Sequence, residues 1–106
     1  MRKQYQEMAQ IHKILGDPIR IEIIDILSYG ARCVCHLLES FSITQPTLSY
    51  HLKSLEKNQI IHASKKGTWV YYELNYKFLN AFYEEFKYSL KPKINHDFFN
   101  HEICEK

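Results

Sequence analysis

The sequence predicts a mainly α-helical domain closed by one β-hairpin, an α+β arrangement, and three observations predict it. Apolar residues recur at helical spacing from Met8 to Leu55. After Asn58 the chain turns to β-branched and aromatic residues. Its three glycines and three prolines each fall where a break between elements is needed.

The first helix carries Met8, Ile11, Ile14 and Leu15, and Gly16-Asp17-Pro18 separates it from the second. Asp17 suits an N-cap and Pro18 the first helical position, because proline lacks the amide hydrogen that would go unpaired there. The second helix holds Ile19, Ile23, Ile26 and Leu27 and stops at Gly30. A third pattern, Val34, Leu37, Leu38 and Phe41, predicts a helix that starts at or just after a pair of cysteines, Cys33 and Cys35. Ser42, Ile43 and Thr44 leave room only for a turn. The fourth helix opens on Thr44 as N-cap with Pro46 in its first turn and buries Leu48, Leu52 and Leu55.

At about 100° per residue, the outer face of that fourth helix carries Thr47, Ser49, Tyr50, Lys53, Ser54 and Lys57, with no carboxylate. Residues 60–64 and 69–74 read as strands, joined by Lys65, Lys66, Gly67 and Thr68. A last helix over about 77–89 gathers Phe78, Leu79, Phe82, Tyr83 and Phe86 on one stripe, and Pro92 follows its end. Two helices joined by a short turn, followed by a hairpin with basic residues, make a winged helix-turn-helix. We expect residues 1–90 to form this DNA-binding and dimerisation domain and residues 91–106 a C-terminal tail.

The bulk numbers exclude other classes. A chain of 106 residues with 45% apolar and 25% charged residues is one ordinary globular domain rather than a disordered or fibrous chain. No apolar run reaches the roughly 18 to 20 residues needed to span a bilayer, and the N-terminus lacks a signal peptide's apolar core. A cytoplasmic protein without membrane contact is expected. No phosphate-binding loop or paired carboxylates appear, so an enzyme is not expected.

The net charge of +2 is small, but its placement is not even. From Thr44 to Lys77 the chain has Lys53, Lys57, Lys65, Lys66 and Lys77 against only Glu56 and Glu73. Lysines neutralise phosphates and so supply affinity for double-stranded DNA, whereas side chains at base edges supply specificity. Gln45, Thr47, Ser49, Tyr50, His51 and Lys53 on the fourth helix, with Lys65 and Lys66 on the hairpin, are the expected DNA contacts. One recognition helix reads few base pairs, so a homodimer on a palindrome is expected, paired through the first and last helices.

Three cysteines in a reducing compartment are not a disulfide framework. Residues two apart on a regular helix point about 200° away from each other, so Cys33 and Cys35 meet at one ion only where the chain is extended. The pair sits where the helix supporting the recognition helix begins, so a thiophilic ion held there would deform the helix-turn-helix. Thiolates select soft ions. Two sulfurs are a sparse set; Cys104 is the remaining thiol, and His36, His96, His101 and His12 are imidazole alternatives.

Leu15 to Arg20 (LGDPIR), Arg32 to Glu39 (RCVCHLLE), Ser42 to Leu55 (SITQPTLSYHLKSL), Lys66-Gly67 and Tyr71 to Leu74 occur in the order and spacing of one family. On these motifs the chain resembles the ArsR/SmtB family of metal-sensing winged-helix repressors over about residues 8–85. The resemblance implies a homodimer that binds operator DNA with no cofactor and releases it when an inducer ion binds. It also implies that Cys33 and Cys35 are inducer ligands, as in the arsenite/antimonite and cadmium/lead sensors.

The chain departs from the family pattern at His36, where many members have aspartate, and at Leu38, where some arsenite sensors have a third cysteine. The N-terminus lacks the extra cysteine of the cadmium type, and 77–89 lacks the His and Asp ligands of the zinc, nickel and cobalt sensors. The third sulfur is therefore assigned to Cys104. Three thiolates suit pyramidal As(III) or Sb(III) better than a divalent ion, which takes four ligands in a structural thiolate site. A Cd(II), Pb(II) or Zn(II) sensor completed by His36, His96 or His101, and a thiol-redox repressor, are the alternatives.

Overall fold

The computed structural model describes residues 2–94. Five helices and a three-stranded sheet follow one another as α1 (Lys3–Leu15), α2 (Pro18–Leu27), β1 (Arg32–Cys33), α3 (Val34–Leu38), α4 (Gln45–Lys57), β2 (Ile61–Lys66), β3 (Trp69–Leu74) and α5 (Tyr76–Leu90). The winged helix-turn-helix read from the sequence is present, with α3 and α4 as the helix-turn-helix and β2–β3 as the wing. Among the described residues no helix is long and apolar enough to cross a membrane.

Local chemistry sets most boundaries. Asp17 accepts from the amides of Ile19 at 2.8 Å and Arg20 at 3.4 Å, and Thr44 from that of Thr47 at 3.3 Å. Asn75 caps α5 through the amide of Phe78 at 3.2 Å. The α4 helix closes on a left-handed Gln59 with φ 68°. There the amide of Ile60 donates to the Leu55 carbonyl and that of Gln59 to the Glu56 carbonyl, both at 3.0 Å. These paired bonds are a Schellman motif, with glutamine where glycine is usual.

The core joins all the layers. Ile11 of α1, Ile23 and Leu27 of α2, Leu37 of α3, Leu48, Leu52 and Leu55 of α4, then Ile60, Ile61 and Leu74 form one buried cluster. Full burial of each such side chain stabilises by about 1.5–3 kcal/mol. No residue of α5 is fully buried. Phe78, Leu79 and Phe82 lean on the core, while Tyr83, Tyr88 and Leu90 are exposed.

Four expectations need correction. The second helix ends at Leu27 rather than Gly30, and Gly30 instead takes φ 138° in the connection to the sheet. The third helix begins at Val34, between the cysteines, and ends at Leu38, so Phe41 lies beyond it. A two-residue strand precedes it: β1 is the sheet's third member, in order β1-β3-β2, with Arg32 opposite Tyr72 and Cys33 opposite Tyr71. Finally, Lys65 and Lys66 belong to β2, paired with Val70 and Trp69, so the wing turn is only Gly67-Thr68. Positive φ at Gly67 and not at Thr68 fits a type II′ turn, which continues the strand twist.

Candidate thiolate site and nucleic-acid interface

On α4, Gln45, Thr47, Tyr50 and Lys53 are exposed and Ser49 is half-buried. Lys65 and Lys66 are exposed on β2, with the Lys66 Nζ 5.9 Å from the centre of the Tyr71 ring. The donors expected to meet DNA therefore stand on one helix and one hairpin.

His51 does not belong with them. It is 7% exposed, and its Nδ1 accepts a hydrogen bond from Arg20 Nε at 2.9 Å. At about 100° per residue, His51 lies at the edge of the buried face, about 40° from Leu55 and about 60° from Leu48. Arg20 is itself buried, donates from Nη1 to the Ile14 carbonyl at 3.3 Å, and has its guanidinium 5.6 Å from the Tyr50 ring centre. Among the described residues no carboxylate pairs with this arginine. The guanidinium thus ties α1 and α2 to the recognition helix, through His51 inside and Tyr50 on the outer face. Sequence reasoning missed Arg20 because its partner comes from another helix.

The cysteines meet through a change of backbone between them. Cys33 is extended, at φ −84° and ψ 165°, and is the N-cap residue of α3; Cys35 is in the first helical turn. The β1 ladder to Tyr71 holds Cys33 in that extended state. The sulfurs consequently lie 2.6 Å apart, where a continuous helix would have separated them.

Cys33 is buried and Cys35 exposed. The hydrogen bond from Cys35 lowers the Cys33 thiol below its ordinary range, and donating that bond is also the main reason the Cys35 thiol is raised. The pair therefore favours one thiolate stabilised by its neighbour, which is how a nucleophilic sulfur is kept ready for a soft ion. A donor atom of His36 joins the sulfurs within 4.8 Å. His12 is elsewhere, its ring against Phe82 and Phe86 with centroids 5.2 and 4.4 Å away. Cys104, His96 and His101 lie outside the described residues.

A cleft of about 400 Å³ opens beside the sulfurs, lined by Cys33, Cys35, Leu38, Gln45, Trp69 and Val70 among others. Both cysteines, the first residue of the recognition helix and the last rungs of the wing thus face one space. Trp69 and Val70 were not anticipated at this site, since only the β1–β3 pairing brings the wing to the cysteines.

Comparison with known proteins bears on the same region. The profile described as "Bacterial regulatory protein, arsR family" matches residues 17–63. The chain is 49% identical over 76 residues to the "Arsenical resistance operon repressor" of Staphylococcus xylosus, covering 72% of this chain and 73% of that one. This chain belongs to the arsR family.

Proteins of the arsR family are DNA-binding transcription regulators, not enzymes. A Bacillus subtilis member, also an "Arsenical resistance operon repressor", is 44% identical over 81 residues, 76% of this chain and 77% of that one. Two solved structures share the fold. An "ArsR-like Transcriptional Regulator" from Rhodococcus matches with a TM-score of 0.73 at 21% identity over 81% of each chain. The "homodimeric winged helix-turn-helix DNA-binding domain" from Mycobacterium bovis matches at 0.67 and 22% identity, over 88% of this chain and 86% of that one.

Proposed function

We propose that this arsR-family protein is the repressor of an arsenical-resistance operon. It binds operator DNA as a homodimer without inducer and releases it when As(III) or Sb(III) is captured by Cys33 and Cys35, with Cys104 as third ligand. The observation that carries this reading is the shared cleft, in which the two sulfurs face Gln45 of the recognition helix and Trp69 of the wing. Relatives at 44–49% identity that are named arsenical resistance operon repressors support the inducer class. The exposed Tyr83, Tyr88 and Leu90 of α5, and a homodimeric neighbour in fold, support pairing of two chains.

The mechanism follows from sulfur spacing. Two thiolates bound to one ion at about 2.3 Å stand about 3.3–3.8 Å apart, depending on the angle between them. An ion fixes both sulfurs about one point at that spacing, a constraint that the hydrogen-bonded free pair does not carry. The strand ladder to Tyr71 resists movement of Cys33, and the constraint passes to α3 and, across the cleft, to Gln45. A coupling of about 1–3 kcal/mol would weaken DNA binding by roughly 5 to 150-fold.

A second reading is favoured by His36, whose donor atom lies with both sulfurs. A third ligand of nitrogen type suits Cd(II), Pb(II) or Zn(II). Titrating arsenite and cadmium separately into the operator complex tests both readings, repeated with Cys104→Ser and His36→Ala. Release by arsenite that Cys104→Ser weakens is the expected result. If neither ion releases DNA that is otherwise bound, the inducer assignment is lost; if only cadmium acts, and only with His36 present, the second reading replaces the first.

A further inference from the structure

We propose that Arg20 is a positioning residue for sequence readout: its buried guanidinium fixes the ring of Tyr50 on the recognition helix, so that Tyr50 discriminates the operator from other DNA. The proposal rests on the DNA-binding half of the reading above and is independent of the inducer. Arg20 and His51 are the buried polar side chains among the described residues, at 8% and 7% exposure. No carboxylate among those residues pairs with the guanidinium. Burying such a charge is costly, and an apolar chain of similar length would fill the space without that cost. The charge therefore has a use that burial alone does not explain.

Tyr50 supplies that use. It is 65% exposed, and an exposed tyrosine ordinarily moves among rotamers, which binding then has to suppress. Here two buried neighbours restrain it. The guanidinium carbon of Arg20 lies 5.6 Å from the ring centre, within the roughly 6 Å over which a cation is attracted to a ring face. The His51 ring lies 5.5 Å away at 64°, the edge-to-face arrangement that aromatic pairs favour. Both neighbours are themselves held, because Arg20 Nε donates to His51 Nδ1 at 2.9 Å and Nη1 donates to the Ile14 carbonyl at 3.3 Å. The restraint runs from the end of α1, through α2, to one side chain on the outer face of α4.

That side chain is suited to reading bases. A flexible ammonium such as that of Lys53 finds a phosphate on any sequence, whereas readout needs a donor or acceptor held in one place against a base edge. The tyrosine hydroxyl both donates and accepts, and fixing the ring fixes that atom. Ordering one such side chain in advance changes affinity by about 2- to 12-fold, so the two copies in a dimer give about 5- to 150-fold.

The test uses the full-length protein and two duplexes of equal length and composition, one enriched from random-sequence DNA by this protein and one scrambled. Anisotropy measures both affinities at one salt concentration for the parent protein, Arg20→Met, Tyr50→Ala and the double variant. Arg20→Met should lose about 5- to 150-fold on the enriched duplex and change within about twofold on the scrambled one, and the double variant should bind no more weakly than Tyr50→Ala alone. Equal losses on both duplexes would make Arg20 a phosphate contact or a support of the fold, and overturn the proposal. Losses that multiply in the double variant, no loss with Arg20→Met, or intact discrimination with Tyr50→Ala overturn it as well. Should Arg20→Met not fold, Arg20→Lys keeps the charge but lacks the planar face and the Nε donor, so it too should lose discrimination; parent-like discrimination overturns the proposal. A parent protein that enriches no sequence overturns the repressor reading instead.

Discussion

Replacing Arg20 by methionine tests how the recognition helix is held. The substitution keeps the apolar stem and removes the donor to His51 Nδ1 at 2.9 Å and to the Ile14 carbonyl at 3.3 Å. His51 is 7% exposed, so its ring nitrogen loses its partner with little access to water, at a cost of about 1–3 kcal/mol. His51→Leu removes the acceptor and leaves a buried guanidinium one bond short, about 1.5–3 kcal/mol for a bond to a charged group. In the double variant neither group is stranded, so the two losses should fall short of additivity by about 1–3 kcal/mol. Urea unfolding measures the cycle, at one fixed protein concentration because a dimer's stability depends on it. Operator affinity should fall with Arg20→Met, since Tyr50 loses the guanidinium beside its ring. Losses additive within about 0.5 kcal/mol would refute the coupling and reduce the contact to coincidence.

Other expectations follow from single features. Gln59→Gly should stabilise by about 0.5–1 kcal/mol in thermal or urea unfolding, because Gln59 sits at φ 68° where glycine carries no steric cost; unchanged or lower stability would argue against the Schellman closure. Lys65→Ala or Lys66→Ala should lower the slope of log affinity against log salt by about 1.8 in a dimer, two phosphate contacts at about 0.9 each, and an unchanged slope would remove that lysine from the interface. Trp69 is the single tryptophan and lines the cysteine cleft, so arsenite should change its emission, and Cys33→Ser should abolish the change; release of DNA with steady emission would place the inducer elsewhere. Calorimetry in buffers of different ionisation enthalpy should find almost no proton release with arsenite, whose own hydroxides leave as water, but about one to three protons with cadmium. Equal release for both ions would contradict the thiol protonation assumed for the pair.

Much of the frame was legible in the residues. Asp17-Pro18, Thr44 with Pro46, and the apolar spacing of Leu48, Leu52 and Leu55 announce their helices, because caps and helical periodicity act within a few residues. The β-rich run after Asn58 and Gly67 announce the wing for the same reason. The sites were read less completely. Thr47, Tyr50 and Lys53 are exposed as a helical wheel requires, yet His51 next to them is not, since a histidine's polarity does not say whether a buried partner awaits it. Lys65 and Lys66 were placed in the turn because lysine has low strand propensity, and pairing with Val70 and Trp69 overrides it.

By itself the sequence determined the element types, the helix-turn-helix followed by a hairpin, and the presence of two thiols where the supporting helix begins. Only the tertiary structure decided that those thiols meet. Strand β1 is two residues long and has no periodicity to read, and it exists because Arg32 and Cys33 find hydrogen bonds on Tyr72 and Tyr71. That pairing holds Cys33 extended, turns its sulfur toward Cys35, and brings Trp69 and Val70 to the same cleft as Gln45. The Arg20–His51 bond has the same origin, since it needs α2 and α4 already packed. Local propensities act between near neighbours in the chain, while contacts between distant segments form only once the core has fixed where the helices lie.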